Sequence, residues 1–279
     1  MFIRTLIVGV VALVASCGGS ADPTATVTHV TPDTTTTTTP PTTYGPAPTG
    51  WVAGTVSGAG LTNPYQVFVP FNYDPKVKWP TILFQHDGTE RGTDNVKQTT
   101  VGLGPVVKAQ QATWQAITIF PQTGTNEPLQ PGYVRVGPAA LDSVIKHYNV
   151  DLDRVYLTGI SSGAIFSFEL LHKFPKRFAA FMPMASYICP QCINGNANET
   201  QTALAVQLAR ENPTMGYWQF HGSLDGVILP PYARDAAAAW KTVNPAAKYT
   251  EYPGVGHGQT HLSAYAEPTI FTWLFAQHR

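Results

Sequence analysis

The stretch Val155-Tyr156-Leu157-Thr158-Gly159-Ile160-Ser161-Ser162-Gly163-Ala164-Ile165-Phe166-Ser167-Phe168 runs from an apolar, strand-like segment through a turn into a small-residue, helix-like one. A strand that feeds G-x-S-x-G and opens a helix turns so tightly that the central serine takes a strained backbone conformation. A Cβ at Gly159 or Gly163 would collide with the neighbouring strand or helix, which gives each glycine a steric reason to be there. Ser161 is thereby thrust out at the tip. Gly and Ser also populate ordinary strand-to-helix loops, so the pentapeptide gains its weight from the segments around it.

Outward from this turn, strand-like and helix-like segments alternate from Trp51 onward, the pattern of an α/β sheet with helices on both faces. Val52–Ser57 and Tyr65–Val69 alternate around Gly and Asn-Pro turn signals and predict an antiparallel hairpin at the N-terminal edge of the sheet. Thr81–Phe84 and Ala116–Phe120 are continuous apolar runs, as expected of strands buried on both faces. Between Gly137 and Tyr148, Pro138 suits a first helical turn, and Leu141, Val144, Ile145 and Tyr148 recur on one helical face. Downstream, strands are expected at Phe178–Met184, Tyr217–Phe220 and Tyr249–Tyr252, and helices at Thr202–Arg210, Pro231–Lys241 and His261–Gln277.

In open α/β sheets, reactive residues collect on loops at the carboxyl ends of strands. Ser161, Asp225 and His257 each sit just past such an end, in the order nucleophile, acid, histidine. Acyl transfer needs a serine whose proton can be taken, an imidazole to take it, and an anion that orients the imidazole. Ser161 is assigned as nucleophile, His257 as base and then acid, and Asp225 as the orienting carboxylate. The imidazole must be neutral to accept the proton, so activity is expected to fall with acidity. Singly, a histidine between glycines and an Asp-Gly pair are common loop features. Their joint placement is what argues for chemistry. His86 and His221 directly end strands and are expected to brace loops, His261 is the best substitute for His257, and Asp235 lies inside a helix. Two N–H donors must face the developing oxyanion. One is expected from Ser162, whose side chain should turn back toward the fold, and the other from the loop after Thr81–Phe84. No metal and no cofactor are required by this set.

Tyr65-Gln66-Val67-Phe68-Val69-Pro70 with Tyr73-Asp74-Pro75, Gln85 to Gly92, Asp151 to Ser161, and Lys248 to His257 with Ala264-Tyr265-Ala266-Glu267-Pro268 carry a further signal. Together they resemble the secreted bacterial predicted-peptidase, or phospholipase/carboxylesterase-like, branch of the α/β-hydrolases, akin to feruloyl and polyhydroxybutyrate-depolymerase-like esterases. The resemblance covers nearly all of 51–279. It implies an α/β-hydrolase fold with a mostly parallel sheet, and carboxylic-ester hydrolysis despite the peptidase label. The family's oxyanion loop reads H-G-x-G-E-R-G, and here it is His86-Asp87-Gly88-Thr89-Glu90-Arg91-Gly92. Gly88 falls on the family's donor position, while Asp87 replaces a glycine, and a carboxylate beside an oxyanion would oppose its charge. The residue after the nucleophile, often Met in relatives, is Ser162 here, which changes pocket shape and not the backbone donor. A peptidase using the same triad and a non-catalytic surface binding module on the same scaffold are the alternatives. The substrate is expected to be an ester, small or polymeric.

The remaining segments place this domain. Residues 1–16 carry Arg4, an apolar run from Leu6 to Val14 and then Ala15-Ser16, which reads as an export signal. Leu13-Val14-Ala15-Ser16-Cys17 also resembles a bacterial lipobox, with Cys17 as the lipid-bearing residue of a cell-surface lipoprotein; a plain secretory signal is the alternative. With the anchor, mature protein partitions into detergent with membranes and Cys17→Ala releases it; wild type found wholly in the soluble exported fraction rules the anchor out. Residues 17–50 are rich in Thr and Pro, with the run Thr34–Thr39, and are expected to form a disordered tether ahead of the catalytic domain at 51–279. Lys plus Arg balances Asp plus Glu at 17 each, so no basic surface for nucleic acid is implied, and a monomer is expected. Cys189 and Cys192 form C-x-x-C, and in an exported protein a local disulfide is the favoured reading.

Overall fold

The computed structural model describes residues 40–41, 43–58, 60–125 and 129–279, so the expected signal segment, Cys17 and most of the Thr/Pro-rich stretch lie outside the described residues. Eight strands follow one another as β1 (Gly50–Gly58), β2 (Leu61–Val69), β3 (Trp79–Gln85), β4 (Ile117–Pro121), β5 (Val150–Ile160), β6 (Ala180–Met184), β7 (Gly216–Gly222) and β8 (Lys248–Tyr252). They form one sheet in the order β1-β2-β4-β3-β5-β6-β7-β8. The β1–β2 hairpin and its junction with β4 are antiparallel, and every pairing from β4 to β8 is parallel. The expected antiparallel edge and parallel body are both present.

Helices cover both faces because each central strand is apolar on both. Every residue of β3 and β4 is buried. Successive residues feed opposite cores: Leu83, Ile117 and Ile119 enter one, and Ile82, Phe84 and Phe120 the other. The first core lies against α2 (Leu129–His147), α3 (Ser162–Lys173), α5 (Gln201–Glu211) and α6 (Pro230–Lys241). The second is closed by α1 (Leu103–Gln110), α7 (Thr260–Tyr265) and α8 (Ile270–Phe275). A short helix, α4 (Pro190–Asn194), starts at Cys189, which is disulfide-bonded to Cys192 as the spacing suggested.

Three elements depart from the sequence expectations. Asn63-Pro64, read as a turn signal, lies inside β2, paired with Val56 and Thr55. Helix α2 begins at Leu129, ahead of Gly137, and Pro138 sits in its interior. Pro138 removes one helical N–H, but the preceding turns bury Tyr133, Val134 and Val136, and that packing outweighs the lost bond. The expected helix over His261–Gln277 is instead α7 and α8. Pro268, without an N–H to donate, stands in the break between them.

Contacts with the domain begin ahead of Trp51. The Tyr44 hydroxyl donates to the Ile145 carbonyl at 2.9 Å, and the Tyr148 hydroxyl donates to that of Pro48 at 3.1 Å. At the opposite margin, β8 is five residues long. Glu251 on it accepts a two-pronged pair of hydrogen bonds from Arg234 of α6, at 2.6 and 2.8 Å. The Lys248 ammonium lies 4.3 Å from the ring centre of Trp218.

Candidate active site

Ser161 sits between β5 and α3 with φ 48° and ψ −120°, a backbone conformation that L-residues rarely adopt. The packing around it imposes that conformation. A Cβ at Gly163 would stand 2.3 Å from the carbonyl oxygens of Gln85 and His86, and one at Gly159 would stand 2.9 Å from the Ala164 nitrogen. The Ser161 N–H donates to the Met184 carbonyl at 3.0 Å, tying the turn to β6.

The β7–α6 and β8–α7 loops bring their residues to the same point. His257 Nε2 lies 3.0 Å from Ser161 Oγ, and His257 Nδ1 lies 2.7 Å from Asp225 Oδ2. Asp225 is buried, and its other oxygen accepts the backbone N–H groups of Val227 and Ile228, both at 2.9 Å. His221 Nε2 lies 2.8 Å from the Ile228 carbonyl and 3.2 Å from Asp225 Oδ2, bracing the acid loop. Burial pushes the Asp225 carboxyl up, but hydrogen bonds from His221, His257 and the Ile228 N–H outweigh it and hold the group well below the usual carboxylate range. An ionised carboxylate there accepts Nδ1–H of His257, which leaves Nε2 as the acceptor facing the serine.

The loop after β3 is built from His86 upward. His86 is fully buried; its Nε2 accepts the Thr123 N–H at 3.1 Å, and its Nδ1 donates to the Asp87 carbonyl at 2.5 Å. Burial lowers its pKa to about 4, so the imidazole stays neutral. The Tyr133 hydroxyl donates to the same Asp87 carbonyl at 2.7 Å. Asp87 turns its carboxylate onto its own loop: Oδ1 accepts the Thr89 N–H at 2.6 Å and the Thr89 hydroxyl at 2.7 Å. That turn encloses Gly88. A Cβ on Gly88 would stand 3.3 Å from Ser162 Oγ, so Gly88 and Ser162 adjoin, and the Ser162 hydroxyl faces this loop where the sequence suggested it would turn into the fold. Ser162 is the first residue of α3, where backbone N–H groups have no carbonyl four residues back to bind.

The structure therefore brings Ser161, His257 and Asp225 into one hydrogen-bonded row and sets Gly88 beside Ser162. His261 is buried on α7, and the histidine hydrogen-bonded to Ser161 is His257; Asp235 lies in α6. Tyr133, Thr89 and Glu90, which shape the loop around Gly88, were not singled out from the sequence. Tyr133 belongs to the part of α2 ahead of Pro138, the residue at whose first turn the sequence reading starts the helix.

Among solved structures, a thermostable esterase is similar over 82% of this chain, with a TM-score of 0.68 and 22% identity. The fold is that of the α/β-hydrolases. This chain spans 63% of the length of that esterase. The feruloyl esterase module from Clostridium thermocellum, solved with sinapinate, has a TM-score of 0.62 at 18% identity, covering 83% of this chain and 92% of the module. Porphyromonas gingivalis dipeptidyl peptidase 4 has a TM-score of 0.60 at 15% identity, covering 81% of this chain and 35% of the peptidase. No family model matches the chain, and no curated protein matches it.

Proposed function

We propose that this protein is a serine carboxylic-ester hydrolase working through an acyl-enzyme. The observation that carries the reading is the row Ser161–His257–Asp225, with contacts of 3.0 and 2.7 Å, at a strained turn. Ser161 Oγ attacks the ester carbonyl carbon while its proton passes to His257 Nε2. The carbonyl oxygen becomes an oxyanion facing the backbone N–H groups of Gly88 and Ser162. Collapse expels the alcohol, which takes the proton from His257. Water then repeats the attack on the acyl-serine with His257 again as base, and the carboxylic acid leaves.

Five of the eight exposed large apolar side chains among the described residues, Leu224, Val227, Leu229, Tyr232 and Leu262, lie on the loop that carries Asp225 or on the helices that follow Asp225 and His257 in the chain. Exposed apolar side chains on these segments support an apolar ester, small or polymeric, as substrate. Export, with or without lipidation at Cys17, places that substrate outside the cell.

The likeness to a dipeptidyl peptidase keeps amide hydrolysis as the second reading. An ester and an amide sharing acyl group and leaving-group skeleton are to be compared directly. The ester is expected to be hydrolysed at least about a thousandfold faster in kcat/KM, a difference of roughly 4 kcal/mol in barrier. Equal rates, or a faster amide, would assign the site to peptide bonds.

A further inference from the structure

The loop holding Gly88 contains a proton-counting problem. Thr89 Oγ1 lies 2.7 Å from Asp87 Oδ1 and 2.7 Å from Glu90 Oε1. A hydroxyl has one hydrogen to donate. If both carboxyls are ionised, one of these contacts places an oxygen lone pair against a carboxylate with no proton between them. Asp87 Oδ1 also receives the Thr89 N–H, which marks it as the ionised partner. Glu90 Oε2 is buried and has no hydrogen-bond partner, an environment that favours the neutral acid.

We infer that Glu90 is a positioning residue for the oxyanion loop: as the neutral acid it donates to the Thr89 hydroxyl, which donates to Asp87, and this chain keeps a second negative charge away from the Gly88 N–H. The inference rests on the esterase reading above. Burial, followed by the nearby Asp87 carboxylate, pushes the Glu90 carboxyl up to about 7, in line with the hydrogen-bond count. Asp87 itself is lowered: burial raises it, but the neighbouring Glu90 and the Thr89 N–H and hydroxyl outweigh that.

The other titratable and charged groups facing this pair are His86 and Arg91 on the same loop, Tyr133 on α2, His261 on α7, and Asp94, which meets Glu90 through Gln122. Arg91 donates to the Gly124 carbonyl through both Nε and Nη2. His86 stays neutral, the Tyr133 hydroxyl is raised well above its ordinary value by burial, and hydrogen bonds from the Lys97 and Val96 N–H groups hold Asp94 ionised. Burial lowers His261. Glu90 is thus the group here whose charge changes as pH rises through neutrality. Losing its proton sets two carboxylates around one hydroxyl hydrogen, loosens the loop and opposes an oxyanion at Gly88.

The test compares wild type with Glu90→Gln, which is isosteric and neutral at all pH. Wild-type kcat on a short aryl ester is expected to fall on the order of tenfold as pH rises from about 6 to about 9. Glu90→Gln should match wild type near the lower value and lose the alkaline fall. An unchanged alkaline limb in the variant overturns the proposal. A readout independent of activity is the infrared carbonyl band of a protonated carboxylic acid. It is expected in wild type at about pH 6, where ordinary carboxyls are ionised, and absent from Glu90→Gln. Absence of that band in wild type overturns the proposal even if the protein proves to be an esterase, whereas the band without any ester hydrolysis would indict the esterase reading instead.

Discussion

Ser161→Ala is expected to lower ester hydrolysis by about five to six powers of ten and to abolish labelling by an active-site-directed phosphonate. Ser161 Oγ is the hydroxyl at 3.0 Å from His257 Nε2, and the neighbouring Ser162 hydroxyl is directed to the Gly88 loop and cannot take its place. The fold should survive. Ser161 makes no side-chain cap to α3, and its N–H bond to Met184 is made by backbone. A variant with a wild-type circular dichroism spectrum and near wild-type turnover would remove Ser161 from the mechanism. The residual rate in the variant, compared with uncatalysed hydrolysis, measures what substrate binding and the proposed Gly88 and Ser162 donors contribute without the nucleophile.

The second large effect is on stability. In Gly163→Ala the new methyl would stand 2.3 Å from two backbone oxygens, those of Gln85 and His86, and neither can rotate away. The end of β3 and the start of α3 must separate, at a cost of about 2–4 kcal/mol. In a domain of this size that lowers the thermal midpoint by roughly 5–15 °C. Turnover should fall as well, by about a hundredfold, because Gln85 and His86 lead into Gly88 and a misplacement of about an ångström is enough. Gly258→Ala, adjacent to His257 but with nothing within 4 Å of the added carbon, serves as the neutral control and should stay within about 0.5 kcal/mol of wild type. A Gly163→Ala protein that melts with the control would refute the steric account of the turn.

These two variants also mark how far the sequence could be followed. Gly159-Ile160-Ser161-Ser162-Gly163 was legible because its requirement is local: a turn that tight admits no Cβ at its flanks. Asp225 and His257 were legible because the alternation of strands and helices places their loops at one end of the sheet, whatever the details of packing. The surroundings of Gly88 were not. The orientation of Asp87 depends on Thr89, and the loop is held by Tyr133 from a helix whose start lies ahead of Pro138. A proline inside a helix is tolerated only when the buried face compensates, and that face is visible only once β3, β4 and α2 are assembled. The break between α7 and α8 follows the opposite logic, since Pro268 itself signals it. The Cys189–Cys192 bond was legible from the C-x-x-C spacing read together with the expectation of export.

The short outer strand β8 has a consequence for how this domain behaves among copies of itself. An exposed strand margin offers unpaired N–H and C=O groups on which another chain can build. At this margin, β8 is only five residues long, and it carries Lys248 and the Arg234–Glu251 ion pair. Another strand approaching there would have to strip water from those charges while gaining few ladder bonds. The domain is thereby guarded against edge-to-edge self-association by the same strand whose end carries His257 to Ser161.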